Sequence, residues 1–326
     1  GGKRREIVFT GGGTEADNIA ILGRWRTVCR EGKRASIVCS AIEHKAVSAS
    51  AREAVREGAE LILLAVDGNG RVELGALDEA LAAAPCVVSV MWGNNEVGTL
   101  QPVAELAERC RRNGVAFHTD AVQAFGKVRV RVDELPCDLL SVSGHKIGGP
   151  KGVGVLYLRE GVSLWPLAHG GGQERQLRPG TENVAAAVGL AVAAELAASE
   201  QEEEARRLGA LRDRLETALR ERVPELIVNG AGAERLPHVL NVTVPGADQE
   251  GFLIGLDLDG IAASGASACN SGSVEPSHVL VAMGRSEPNA ASVRFSLGRV
   301  TTDEEIERAI EIIPRVAEQV RVGVGA

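Results

Sequence analysis

Along the first two-thirds of the chain, short apolar runs rich in Val and Ile alternate with stretches whose apolar residues recur every three or four positions. The runs at 6–10, 36–40, 61–66, 86–91, 115–119, 138–142 and 152–158 predict strands. The intervening stretches at 14–30, 45–57, 77–84 and 103–112 predict helices. Strands with little alternation, separated by helices, are those of a mostly parallel sheet covered on both faces, an α/β fold. A helix rich in Ala and Glu is predicted from about 182 to 222. Its acidic run at 200–204 reads as a solvated face. Past Pro224 the pattern changes to strands at 226–229, 238–244 and 292–297 and helices at 249–256, 276–283 and 302–321. The last is announced by a capping box, Thr302 with Glu305. The expected organisation is therefore a large domain over 1–204 and a smaller α+β domain over 205–326.

Ligands of such sheets bind beyond the carboxyl ends of the strands. The chemically informative residues fall there: the Gly-rich turn at 11–14, His44, the polar group at 94–96, Asp120, and the pair His145 and Lys146. Lys146 lies in the run Ser141-Val142-Ser143-Gly144-His145-Lys146, in a turn crowded with glycines and small hydroxyls. Ser143 and His145 can hydrogen-bond an anion there, holding a phosphorylated aldehyde while Lys146 forms a Schiff base with it. The alternative is a surface turn with a solvated lysine.

The other segments also carry two readings each. Gly11, Gly12, Gly13 and Thr14 open a helix whose N–H groups can face an anion, although such turns are common. They match neither the dinucleotide fingerprint nor the nucleotide P-loop. His44 can ligate a metal, move protons, stack on a ring, or serve only as a structural side chain. No second His stands four residues away, which excludes a helical zinc pair at this point. Asp120 can keep a ring nitrogen protonated or cap a turn. Arg294, inside an apolar strand, calls for a carboxylate, either a substrate's or an internal partner's. Cys269 stands among Ser, Gly, Ala and Asn, where a reachable thiol nucleophile and an incidental loop cysteine are both possible.

Composition narrows the classes. The chain has 326 residues, 44% of them apolar and only 3% aromatic, so its core is aliphatic. A net charge of −8 argues against non-specific nucleic-acid binding. The longest uncharged apolar stretch, 184–194, is too short to span a bilayer. Six cysteines without C-x-x-C spacing suit a reducing, cytoplasmic compartment. The chain opens at Gly1 and reaches a strand within five residues, so a native segment ahead of Gly1 is expected.

Taken together, these segments resemble the pyridoxal-phosphate-dependent cysteine desulfurases of the class-V aminotransferase fold, fold type I. The matching stretches are 9–18, 43–47, 88–98, 118–123, 143–152, 169–183, 264–283 and 292–299, in the family's order. The resemblance implies that Lys146 forms the Schiff base with the cofactor, that His44 stacks on its ring and helps move protons, and that Asp120 pairs with the ring nitrogen. Gln123 would approach the ring hydroxyl. Gly13, Thr14, Ser143 and His145 would hold the phosphate, and Thr181 would reach the phosphate of a second subunit in a homodimer. Asn94 and Arg294 would bind the substrate's carboxylate side. Cys269 would take sulfur from L-cysteine as a persulfide, leave alanine, and pass the sulfur to acceptor proteins. No metal, membrane or direct nucleic-acid partner is implied.

The acceptor stays open among iron–sulfur scaffolds, tRNA thiolation, thiocofactor synthesis and DNA sulfur modification. Gly11 and Gly13 stand where the family often has Ser and Ala, Trp92 where it often has His, and its opening Ala-Thr-Thr-Pro segment has no counterpart. A selenocysteine lyase or related lyase on the same fold, and a cofactor-binding scaffold incomplete at its N-terminus, are the competing readings.

Overall fold

The computed structural model describes residues 1–33, 35–265, 277–287 and 289–321. In chain order its elements are β1 Ile7–Thr10, α1 Gly13–Arg30, β2 Ser36–Ser40, α2 Lys45–Arg56, β3 Glu60–Leu64, α3 Leu74–Leu81, β4 Val87–Ser89, α4 Val103–Arg112, β5 Ala116–Asp120, β6 Leu139–Ser143, β7 Gly154–Leu158 and α5 Val184–Arg222. Then follow β8 Ile227–Val228, β9 Val239–Pro245, α6 Gln249–Leu258, β10 Ser264–Gly265, α7 His278–Ala282, β11 Ala290–Ser296 and α8 Asp303–Gln319. The chain divides into two compact units. One comprises Gly1–Val66, Arg71–Asn94 and Gln101–Gln201, and the other Asp67–Gly70, Asn95–Leu100 and Glu202–Ala326.

The first unit holds a seven-stranded sheet in the order β1-β7-β6-β5-β4-β2-β3. Strands β3, β2, β4, β5 and β6 run parallel, and β7 and β1 add an antiparallel edge. This is the mostly parallel α/β sheet the apolar runs predict. Every residue of β2, β4, β5 and β6 is buried, as expected of strands covered on both faces. Strand β4 is shorter than its apolar run. By Val90 the chain has left the regular ladder, although Val90 and Trp92 still donate to His118 and Asp120. Helix α3 begins three residues before the predicted position and stops ahead of Ala84, whose φ of 46° leaves helical space.

The second unit holds an antiparallel sheet in the order β10-β11-β9-β8. Its core joins Leu240, Val242 and Val244 of β9 to Val293 and Phe295 of β11, with Phe252 of α6 and Ile306, Ile310 and Ile313 of α8. Thr302 caps α8 and Glu305 completes the box.

Helix α5 continues through Glu195 without a break, so the apolar stretch is longer as a helix than the uncharged run at 184–194 implies. By length and composition α5 qualifies to cross a membrane, and the eighteen residues that meet this test are only 17% buried. Its inner face packs against the turn that carries Lys146: Ala186, Leu190 and Ala193 meet Ile147 and Val153.

Candidate active site

The sheet delivers its polar groups at the carboxyl ends of adjacent strands. After β6 the chain makes one 3-10 turn, Gly144–Ile147, and closes it at Gly148 with φ 81°. Gly144 N–H donates to Val153 O at 3.0 Å and Gly149 N–H to Gly144 O at 2.9 Å. Ile147 is buried beneath the turn, worth about 1.5–3 kcal/mol for a full side chain. Fixed from below, the turn leaves His145 and Lys146 exposed at its crest. Ser143 Oγ lies 3.0 Å from His145 Nδ1. Burial, followed by the charges of Lys146 and Lys151, lowers the pKa of His145.

The start of α1 stands beside this turn. A Cβ placed on Gly13 would lie 3.5 Å from Ser143 Cβ and 2.7 Å from Val122 Cγ2, so a side chain there would clash. Ala16 N–H donates to Gly12 O at 3.1 Å, and the N–H groups just before it have no acceptor within the helix. With the exposed Thr14 hydroxyl they form a helix end that can face an anion. Gly154 supports it from behind. A Cβ at 154 would sit 2.6 Å from Val142 O and 2.7 Å from Gly12 C, so only glycine fits between β6 and the turn at Gly12.

Asp120 ends β5. Its Oδ1 accepts the Val122 N–H at 2.8 Å. Burial pushes its pKa up, while the Val122 N–H, His44 and Lys146 favour the charged form. His44 is the N-cap of α2, and its Nδ1 accepts the Ala46 N–H at 3.1 Å. The ring proton therefore sits on Nε2, which makes that nitrogen a donor rather than a metal ligand. Ligand-type atoms of Asp17, His44 and Asp120 lie within 4.8 Å of one another. Gln123 follows on the same turn, half-buried, and Thr181 is exposed in the segment before α5.

Asn94 is fully buried, and its Nδ2 donates to Ile42 O at 3.1 Å, bracing the loop that carries His44. In the second unit, Arg294 of β11 donates from Nη1 to Asn95 O at 2.8 Å, while its Nε is buried without a hydrogen-bond partner. Cys269 lies outside the described residues.

A buried polar layer to which no motif assigns a role lies behind Asp120. His118 is fully enclosed, with Nδ1 2.8 Å from Ser89 Oγ and Nε2 3.0 Å from Ser141 Oγ. Burial lowers its pKa to about 3, so it is neutral. Asp17 Oδ1 lies 3.6 Å from His118 Nε2 and accepts no hydrogen bond. Glu43, also buried, accepts from Ser40 Oγ and from Met91 N–H at 2.8 Å, and burial raises its pKa to about 8. The available signal was an acid at position 17, on the apolar face formed by Ala16, Ile19 and Ala20.

These donors fit a phosphorylated pyridine aldehyde. The start of α1 and the Ser143–His145 pair offer an anion site, Asp120 a carboxylate for a ring N–H, and Lys146 an amine. The class-V aminotransferase family model matches residues 1–309. A cysteine desulfurase IscS of Methanosarcina thermophila is 46% identical over 322 residues, covering 98% of this chain and 79% of that protein. A solved NifS-like protein superposes with a TM-score of 0.89 at 34% identity, covering 98% of this chain and 84% of the other. DndA from Streptomyces lividans superposes with a TM-score of 0.76 at 40% identity, covering 90% and 82%. With its sheet, its lysine turn and its match over nearly the whole length, the chain belongs to the class-V aminotransferase family.

Proposed function

We propose that this chain is a pyridoxal-5'-phosphate-dependent cysteine desulfurase that converts L-cysteine to L-alanine and passes the sulfur to acceptor proteins. One observation carries the reading: Asp120, His44 and the Lys146 turn gather at the strand ends of a chain whose 46%-identical relative is named a cysteine desulfurase. When bound, the cofactor supplies an aldehyde carbon for the amine and a ring that withdraws electrons from the substrate.

The chain's own groups have separable tasks. The start of α1 with Gly13 and Thr14, together with Ser143 and His145, would bind the phosphate. Asp120 has one oxygen committed to Val122 N–H and offers the other to a ring N–H. His44 would present its ring and an Nε2 proton to the cofactor, and Gln123 would approach the ring hydroxyl. Lys146 would be the covalent anchor and would supply an amine base to the bound substrate. Arg294, whose Nε has no hydrogen-bond partner, and Asn94 are assigned to the substrate's carboxylate side, and Asn94 also holds the His44 loop in place. At Cys269 the thiolate Sγ bonds to the substrate sulfur as the substrate's C–S bond breaks. This leaves a persulfide on Cys269 and, after protonation, alanine.

The exposed Val184, Val188, Val192 and Leu196 recur every four residues on α5, three residues past the exposed Thr181. This apolar stripe next to a cofactor-binding residue supports a second copy of the chain as its cover, and hence a homodimer. Cys29, Cys39, Cys86, Cys110 and Cys137 are free thiols, which supports a reducing, cytoplasmic setting.

The test is product release from L-cysteine. Wild-type protein should yield alanine and, with a reductant, sulfide in equal amounts, whereas Cys269→Ala should keep the bound cofactor's absorbance and release neither. Undiminished sulfur transfer by that variant would sink the assignment.

A further inference from the structure

Asp17 has no task in the scheme above, yet it lies on the buried face of α1, within 4.8 Å of the ligand-type atoms of His44 and Asp120. It is 1% exposed. Its Oδ1 accepts no hydrogen bond, and among the described residues no Lys or Arg forms an ion pair with it. The groups facing it are Asp120 and His118 from β5, Ser141 from β6, and Glu43 and His44 from the loop before α2. His118, whose Nε2 is 3.6 Å from Asp17, has both ring nitrogens beside serine hydroxyls.

We propose that Asp17 is a positioning residue that stays a neutral carboxylic acid beside Asp120, so that the buried pair carries one negative charge and that charge sits on Asp120, facing the cofactor. Two carboxylates this close, out of water, cannot both ionise without a cation between them. The choice of charged partner follows from the donors. Asp120 receives the Val122 N–H and faces His44 and Lys146, whereas Asp17 receives little. Burial, then the Asp120 charge, hold the Asp17 carboxyl well above the usual carboxylate range, with the Ser141 hydroxyl acting in the opposite direction.

The arrangement has two effects. The cofactor's ring nitrogen meets a single counter-charge of fixed position. The Asp17–His44–Asp120 group also offers protons from Asp17 and from His44 Nε2 where a metal ion would need lone pairs, which protects the cofactor's seat from capture by a divalent cation.

The inference rests on the cofactor reading and not on desulfuration. It is tested on holoenzyme labelled with carbon-13 at aspartate side-chain carboxyls and followed by infrared spectroscopy. At pH 7 a labelled carboxylic-acid C=O band is expected. It should vanish in Asp17→Asn and persist at mildly acid pH in Asp120→Asn. Release of the cofactor into a competing apoprotein gives the second readout. Asp17→Asn, a neutral isostere, should stay within about threefold of wild type, and Asp120→Asn should release at least tenfold faster. Absence of any labelled acid band in the wild type overturns the proposal and needs no variant to fold. Release from Asp17→Asn as fast as from Asp120→Asn overturns it as well. Failure of the functional reading looks different: no alanine forms while the band is unchanged.

Discussion

His44 Nδ1 accepts the backbone N–H of Ala46, so one side chain both starts α2 and sets its own tautomer. Cap and ring are separable by substitution. His44→Asn keeps a good cap and loses the imidazole, whereas His44→Ala loses both. Asn should melt close to wild type and Ala should lose about 1 kcal/mol, while both should turn over at least tenfold more slowly. Thermal melts paired with alanine release at saturating cysteine check this. Wild-type turnover by His44→Asn would confine His44 to capping.

Lys146 stands exposed on a turn anchored by Ile147, so replacing it should leave the fold intact. Lys146→Ala is expected to melt within a few degrees of wild type and to lose the visible band of lysine-linked cofactor. Dialysis followed by absorbance decides, and a retained band would place the covalent anchor elsewhere.

Glu43 gives stability a pH signature. Its carboxyl rises from an ordinary 4.5 to about 8 in the folded protein, chiefly through burial. The folded state therefore holds a proton that the unfolded state has released. This contribution is complete below pH 4.5 and is lost as pH rises towards 8, at up to about 1.4 kcal/mol per pH unit. Glu43→Gln keeps an oxygen for Ser40 and Met91 and has no proton to lose, so its stability should fall less over that range. His118 acts oppositely. Its pKa drops from 6.5 to about 3, so its contribution is complete above 6.5 and is lost as pH falls. Denaturant melts of both proteins from pH 5 to 9 test the pair, and parallel curves would exclude Glu43 as the source of the alkaline loss.

Gly154→Ala probes the support of the proposed phosphate-binding end of α1. The new methyl would press on Val142 O and Gly12 C, both backbone, so no side-chain rotation relieves it. A loss of about 1–3 kcal/mol is expected, with faster cofactor release because the start of α1 is displaced. Stability and release rate equal to wild type would show that the α1 turn relaxes freely.

How far the sequence went follows from where each signal lies. Strands β2, β5 and β6 were legible because burial on both faces leaves unbroken apolar runs, and Asp120, Ser143 and Lys146 were legible because they follow such runs directly. Asp17, Glu43 and His118 were not. Glu43 and His118 are polar residues adjoining apolar ones, and nothing local distinguishes a buried, partnered side chain from a solvated one, while Asp17 left only the signal of an acid on an apolar helix face. The two-residue strand β10 was too short to leave a pattern. The extent of β4 was misjudged because Val90 and Met91 are buried in irregular backbone as thoroughly as in a strand.

The close approach of Gly154 to Gly12 has a consequence for how the molecule comes apart. Among the described residues β7 is the only ladder partner of β1, and Gly154 pairs with Thr10 just ahead of the Gly12 turn. Fraying at that margin of the sheet would slacken the proposed phosphate seat before the parallel strands separate. The cofactor's colour would then serve as a built-in gauge of edge integrity, fading at denaturant concentrations where the bulk of the secondary structure still stands.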